Sequence, residues 1–526
     1  MKQNKKRKVK SVASSNIQNS GYSQAGASYK KRAFKNFNAH SFNAEWDIDF
    51  NNATLRQRAR ILYMSSPIAG SAVVTNRTNV IGCGLKLKSR IDGRILGLSA
   101  DECEDWQKKT EAEFNLWASK KNNCDATGIN DFYSIQQLAL MGWLLNGDSF
   151  IAIKRKPSTL MQPYSLRLHV IEADRVSTPL MNTNSYLNIT TGINLNTGNK
   201  IYDGVEVDSD GAVIAYHICN HYPHQVTLDK KEWQRVEAYG QELGLPNVLQ
   251  IMNSERAEQY RGVSYLSQII EPLLQIRRYT ESELTAALVQ SFFTAFITTE
   301  ADTDEGVPFN STSHEESVGQ EYDDEYQMGP GNVNYMKPGE SVTLADPKRP
   351  SSGFDGFITS LCTQMGAALE IPTDLLLKKF NSSYSASRAA LMEAWKAFKM
   401  RREWFVSDFC KPVYEIWLTE AIARGRIVAP GFFTDPLVHE AWLQSDWVGP
   451  SQGQLDPVKE INAEILAIQH GFSTHEQSTI KLNGGNWGAN IEQVNRENAK
   501  IIQENPVDTK TTKSTTLEED EDEKEE

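Results

Sequence analysis

No stretch of the 526 residues is apolar for long enough to cross a bilayer. The longest weakly polar run, Leu284–Ile297, is broken by Thr285, Gln290 and Thr294, whereas a span needs about 20 mostly apolar residues. The basic N-terminus lacks the apolar core of a signal peptide, so the chain reads as soluble and cytoplasmic. Cysteine is scarce. Cys83, Cys103, Cys124, Cys219, Cys362 and Cys410 form no C-x-x-C pair, which argues against a zinc ribbon or a disulfide framework and leaves free thiols in a reducing compartment. No internal repeat is present.

Catalytic signatures are missing too. Gly198-Asn199-Lys200-Ile201 lacks the adjacency and the hydroxyl of a phosphate-binding loop. Gly449-Pro450-Ser451-Gln452-Gly453 matches the spacing of a serine-hydrolase elbow, but that elbow needs a strand before the serine and a helix directly after it. Neither His439-Glu440 nor His475-Glu476 has a second histidine four residues on. His217, Cys219 and His221 would share a strand face and could bind zinc in a metal-dependent hydrolase. Pro223, next to His224, marks a loop, so half-buried structural histidines are the better reading. Asp47, Asp49, Asp208, Asp210 and the acids at 323–325 sit in turns and loops and form no paired arrangement. No catalytic residue, metal ligand or cofactor is assigned.

Charge is unevenly distributed. Residues 1–44 carry ten Lys or Arg and no acid, including Lys5-Lys6-Arg7-Lys8, while Leu517–Glu526 holds eight acids and one Lys. The remainder has 44 basic against 59 acidic residues. Tight duplex binding needs clustered cations that displace counterions, so an acidic body argues against a DNA-binding regulator. It does not exclude a conduit along which DNA slides without sticking.

The fold expected is α+β and mainly helical. Helical spacing and breakers predict helices over 53–64, from Pro67 into Val80, and over 100–117 and 132–145. Strands are expected at 149–155, 166–171, 205–207, 213–219 and 248–252, with Asp208-Ser209-Asp210-Gly211 as a hairpin turn. From Arg261 the pattern is helical to Phe296, with a kink at Pro272 and a fresh start capped by Thr280 and Glu283. Residues 300–330 read as an exposed acidic loop and 334–345 as strand-like. Ser352 and Asp355 are placed like a capping box for a helix that Pro372 stops. A long helix follows the loop, with a bend at Pro412 and a C-cap at Gly425. Asp456-Pro457 opens a further helix that Gly471 ends, and Ser473 with Glu476 forms another candidate capping box.

Several separated stretches carry a resemblance. Leu55-Arg56-Gln57-Arg58-Ala59-Arg60 with Asn79–Leu85, then Gly147-Asp148-Ser149-Phe150, are followed by Ala215-Tyr216-His217-Ile218 with His221-Tyr222-Pro223. Glu258-Gln259-Tyr260-Arg261-Gly262-Val263, Tyr384-Ser385-Ala386-Ser387-Arg388 with Trp395, and Asp456–Glu460 with Gly471 complete the series. In order and spacing they resemble the lambda-type portal proteins of tailed bacteriophages.

The resemblance implies a non-enzymatic dodecameric ring at one capsid vertex, assembled in the host cytoplasm and kept in the virion. Its partners would be terminase large subunit, the head-tail connector, major capsid protein and scaffold, and the double-stranded DNA passing through. It also implies a division of the chain. A basic arm (1–44) precedes a wing (45–261), a first stem helix (262–296), a clip (297–350) and a second stem helix (351–371). A tunnel loop (372–384), a long wing helix (385–430), crown helices (431–505) and an acidic tail (506–526) follow. Leu376, Lys378, Lys379, Phe380 and Asn381 would stand nearest the DNA.

Overall fold

The computed structural model describes residues 26–504, apart from 29–30, 38, 180–190, 224, 227, 292–294, 300–339, 345–352, 381–382 and 454–455. The architecture is α+β and mainly helical.

Local chemistry sets most boundaries. A π-turn, Glu45–Asp49, leads into α1 (Phe50–Ser65), and Ser66-Pro67 then starts α2 (Pro67–Val80) with the proline where its missing amide costs nothing. After β1 (Lys86–Ser89) and the single turn α3 (Gly93–Leu96) comes α4 (Ala100–Ala118), which opens on a reciprocal Ser99–Glu102 capping box. The short α5 (Lys121–Cys124) precedes α6 (Phe132–Asn146). Asp131 caps α6 at its start, and Gly147 ends it at φ 91°.

The β region forms two antiparallel sheets. β2 (Asp148–Arg155) is flanked by β3 (Leu166–Ile171) and β9 (Val248–Met252). The second sheet runs in chain order through β4 (Thr191–Ile193), β5 (Lys200–Tyr202), β6 (Val205–Val207), β7 (Val213–Cys219) and β8 (Trp233–Glu237). Phe150, Ile171, Val205, Tyr216 and Val248 make a small core where the two sheets meet.

Helix α7 (Ile270–Ser291) starts later than the apolar spacing predicts. Pro272 sits in its first turn and kinks nothing, and Thr280 lies in mid-helix and caps nothing. Phe296, expected on that helix, belongs to β10 (Ala295–Thr299), which pairs with β11 (Glu340–Leu344). Helix α8 (Phe354–Ala368) has Gly353 as its N-cap with no side-chain cap; Ser352 lies outside the described residues. Tyr279 of α7 packs on Phe354 and Phe357 of α8 at centroid distances of 5.4 and 5.0 Å.

Beyond the short α9 (Thr373–Leu377), α10 (Tyr384–Phe405) passes through a π-turn (Val406–Cys410) into α11 (Lys411–Ala423). Widening the ladder just before Pro412 keeps the chain helical past it. Gly425, at φ 69°, follows the end of α11.

The main core is aromatic. Phe114 meets Phe132, Trp417, Tyr414 and Trp447 edge to face. Trp447 comes from β12 (Ser445–Val448), which follows α12 (Pro436–Leu443) and pairs with β1. Residues 436–448 therefore pack with the N-terminal helices and do not stand apart with the C-terminal ones. Helices α13 (Pro457–Gln469), α14 (His475–Asn483) and α15 (Trp487–Glu504) complete the fold. Thr474, not Ser473, caps α14. Among the described residues no helix is long and apolar enough to cross a membrane.

Candidate nucleic-acid interface

The loop between α8 and α10 is built from its base outward. Past α8 the chain reverses at Glu370, which takes a left-handed φ of 55°. Ile371 N–H donates to the Gly366 carbonyl at 2.9 Å, an approach only glycine permits, since a Cβ there would lie 2.5 Å from the Ile371 oxygen. Arg401, reaching back from α10, donates to Asn76 Oδ1 (2.9 Å) and Glu370 Oε2 (2.6 Å). Its guanidinium lies 4.9 Å over the Tyr265 ring, and the Tyr265 hydroxyl bonds the Leu369 carbonyl. Helices α2 and α10 and the approach to α7 thus clamp one end of the loop.

The loop itself is not irregular. Pro372 fixes the first turn of α9, and Lys378 ends it at φ 56°. Leu376, expected among the outward residues, is 1% exposed and belongs to the main core. Its carbonyl also accepts from Ser71 Oγ at 2.7 Å. Leu376 is an anchor. With it held, the chain that follows points outward: Lys378 and Lys379 are exposed and Phe380 is 57% exposed. The Lys378 ammonium donates to Thr75 Oγ1 at 3.3 Å, and the Lys379 ammonium lies 3.8 Å from Asp355 in a solvent-exposed pair. Such an exposed pair contributes little. Asn381 lies outside the described residues. Ser383 Oγ then caps α10 by accepting from Ala386 N–H.

Two ammonium groups and a ring on a braced edge can make weak, salt-sensitive contacts with phosphates.

The histidine cluster does not converge on a metal. His217 Nε2 is 2.9 Å from Glu206 Oε2, and Arg235 Nε donates to the same oxygen at 2.8 Å. Burial holds the His217 imidazole below its ordinary value and pushes the Cys219 thiol up. His221 sits beside Asp229 instead, and His224 lies outside the described residues. Among the described residues no three His, Cys, Asp or Glu are grouped to hold an ion. Asp208 accepts from the backbone of its own turn, and Asp47 pairs with Arg256.

Sequence reasoning missed one assembly. Arg56, Asp148 and Arg261 come from three separate motifs and meet in a single buried ionic cluster. Arg261 donates to Asp148 at 2.6 Å and pairs with Asp203 at 2.7 Å. Arg56 lies 3.6 Å from Asp148 and Asp174 and 3.4 Å from Asp203, while Arg60 binds Asp174 at 2.5 Å. Burial would lower the Arg261 pKa, but Asp148 and Asp203 hold it above its ordinary value. Burial raises Asp203, and burial together with Asp203 pushes Asp49 up to about 7. The available signal was the Arg56/Arg60 spacing, which puts two cations on one helix face, with Gly147-Asp148 and Arg261-Gly262 as its partners. The cluster fixes the segment that leads into α7.

The sequence profile described as phage portal protein, lambda family, matches residues 30–402. The chain is 23% identical over 441 residues to portal protein B of Escherichia phage lambda, covering 81% of this chain and 79% of that one. It is 23% identical over 482 residues to the portal protein of Escherichia phage N15, covering 88% and 87%. Among solved structures, a chain from the neck of a native GTA particle computed with C12 symmetry aligns with 82% of this chain and 93% of its own. That alignment has 12% identity and a TM-score of 0.41, too loose a superposition to carry an argument.

Proposed function

The chain belongs to the lambda family of phage portal proteins, and on that premise we propose that twelve copies close into a ring through which the genome is packaged and ejected. The observation that carries the residue-level reading is the braced edge Lys378-Lys379-Phe380, held outward by the buried Leu376. In the ring this edge faces the DNA and touches it weakly. The acidic balance of the body, 59 acids against 44 bases between the two tails, keeps phosphates from adhering to the remaining wall.

A closed ring needs a heterologous interface, one face of each subunit against a different face of the next. Helix α7 exposes Leu274 and Leu284, and α8 exposes Phe357; in this reading they meet the neighbouring subunit. The ring sits at one vertex of the virion head, with terminase, and later the head-tail connector, docking at the end that β10 and β11 mark. Capsid protein and scaffold would hold it in the shell. The role in this reading is structural: the described residues provide the braced contacts that a conduit needs.

Light scattering and negative-stain imaging of the purified chain test the ring. Rings of about twelve subunits with a central hole are expected. A chain that stays monomeric even when co-produced with its head proteins would sink the proposal.

A further inference from the structure

The ionic cluster holds one carboxylate too many. Asp148, Asp174 and Asp203 each pair with one or more of Arg56, Arg60 and Arg261. Asp49, 5% exposed, makes none of these ion pairs. Three guanidinium groups already serve these three carboxylates and the half-exposed Glu172, which Arg60 binds at 3.2 Å, so a further buried negative charge is costly in a low-dielectric site. A proton on Asp49 removes that cost.

Asp49 is also the last residue of the π-turn Glu45–Asp49, where the N-terminal segment joins the body. Outside the cluster that segment is held by the buried Ala44 and Ile48 and by polar contacts. Arg256 bonds Asp47 and the Phe42 carbonyl, and Glu45 bonds the Thr191 hydroxyl. Its aromatic side chains Phe42, Trp46 and Phe50 stack on one another but stay largely open to solvent. The groups facing Asp49 are Glu45 on its own turn, Arg56 on α1, Asp203 and Tyr202 at the β5–β6 turn, and Arg261 before α7. Asp148 and Asp174 stand behind them.

We propose that Asp49 is a proton-operated latch: protonated, it lets residues 43–49 dock against α1 and the β5–β6 turn, and ionised, it drives them off. The sign follows from linkage. In the docked form Asp49 keeps its proton up to about pH 7, whereas an undocked aspartate loses it near 3.8. Docking is therefore strongest below pH 3.8, weakens as pH rises from there to about 7, and is constant above that. Within the window the opening equilibrium grows about tenfold for each pH unit. The latch works within one subunit and does not depend on the ring.

Hydrogen–deuterium exchange of the full-length chain, corrected for the intrinsic pH dependence of exchange, reads it directly at residues 43–50. From pH 5 to 7 the wild type should lose protection about tenfold per unit and then level off. Asp49→Asn should stay protected and flat, while residues 135–145 of α6 serve as an internal control. A flat wild-type profile, or an Asp49→Asn profile that still falls, overturns the latch. If Asp49→Asn loses protection in α6 as well, it has not folded, and Asp203→Asn decides instead. Removing the repelling carboxylate frees arginine for Asp49, so the plateau should begin at lower pH; an unmoved plateau rejects the proposal.

Discussion

Gly147 and Gly262 meet backbone against backbone, so that a methyl group built on Gly262 would overlap the Gly147 carbonyl. This contact brings the end of α6 against the segment that leads into α7, and it puts Asp148 beside Arg261. Gly262→Ala should cost several kcal/mol, a size reserved for overlaps that rigid backbone cannot relieve. Gly356→Ala, on an exposed face of α8 with open space around it, should instead stabilise by about 0.5–1 kcal/mol. Thermal unfolding of both variants checks the contrast. Equal melting temperatures would show that the two backbones can part.

Arg261→Met leaves Asp148 buried without its closest cation. The expected loss is about 3–5 kcal/mol, as for other broken buried pairs. The double variant Arg261→Met/Asp148→Asn should recover part of it. Recovery stays partial because Arg261 also donates to the Val176 and Ala173 carbonyls. Denaturant unfolding of the two variants measures the coupling, and simple additivity would refute it.

Glu206 predicts the acid limb of stability. Burial alone would raise this carboxylate, but Arg235, Asn199, Asn194 and His217 bond it and hold it well below its ordinary value of 4.5. Its contribution is therefore complete above pH 4.5 and fades as pH falls below that. The buried His217, held below 6.5, works in the same direction: the unfolded chain takes up that proton first. Glu206→Gln should be clearly less stable than wild type at pH 7, with the gap closing below pH 4. Urea unfolding at three pH values tests this, and a gap constant with pH would rule out the linkage.

In the loop, stability and DNA contact should separate. Leu376→Ala empties a core position and should cost about 2–5 kcal/mol. Lys378→Ala/Lys379→Ala should leave the melting temperature almost unchanged yet alter packaging or retention of DNA across a salt series. A double variant that behaves as wild type at every salt concentration would remove the lysines from the conduit.

The fold was legible where local signals agree with tertiary packing. Asp131 with Gly147, and Asp456 with Pro457, mark helix ends by chemistry that operates within one turn. The alternation of β2, β3, β7 and β9 is long enough to read. The end of α7 was not legible, because Phe292 and Phe296 continue its helical spacing across a break into β10. β12 is only four residues, and its partner β1 is remote. Leu376 was placed outward because the resemblance puts the whole 372–384 loop in the tunnel; here Pro372 begins a new turn whose middle leucine finds the core. The ionic cluster was invisible for another reason. Its charges are scattered over two hundred residues, and nothing local tells a buried arginine from a solvated one.

The pairing of β1 with β12 also has a consequence for synthesis. Arg90, just past β1, bonds Asp446 across 356 residues of chain, and Trp447 of the same strand completes the aromatic core around Phe114. A ribosome therefore extrudes the N-terminal helices long before the strand that closes over them. Until then Phe114 and Phe132 lack a neighbour and need protection, because half-finished cores are the species that aggregate. The same delay is useful to an assembling ring. A chain cut short before residue 445 lacks Trp447 and cannot finish its own core, so in the proposed ring a truncated copy would lack the folded faces with which a subunit joins its neighbours.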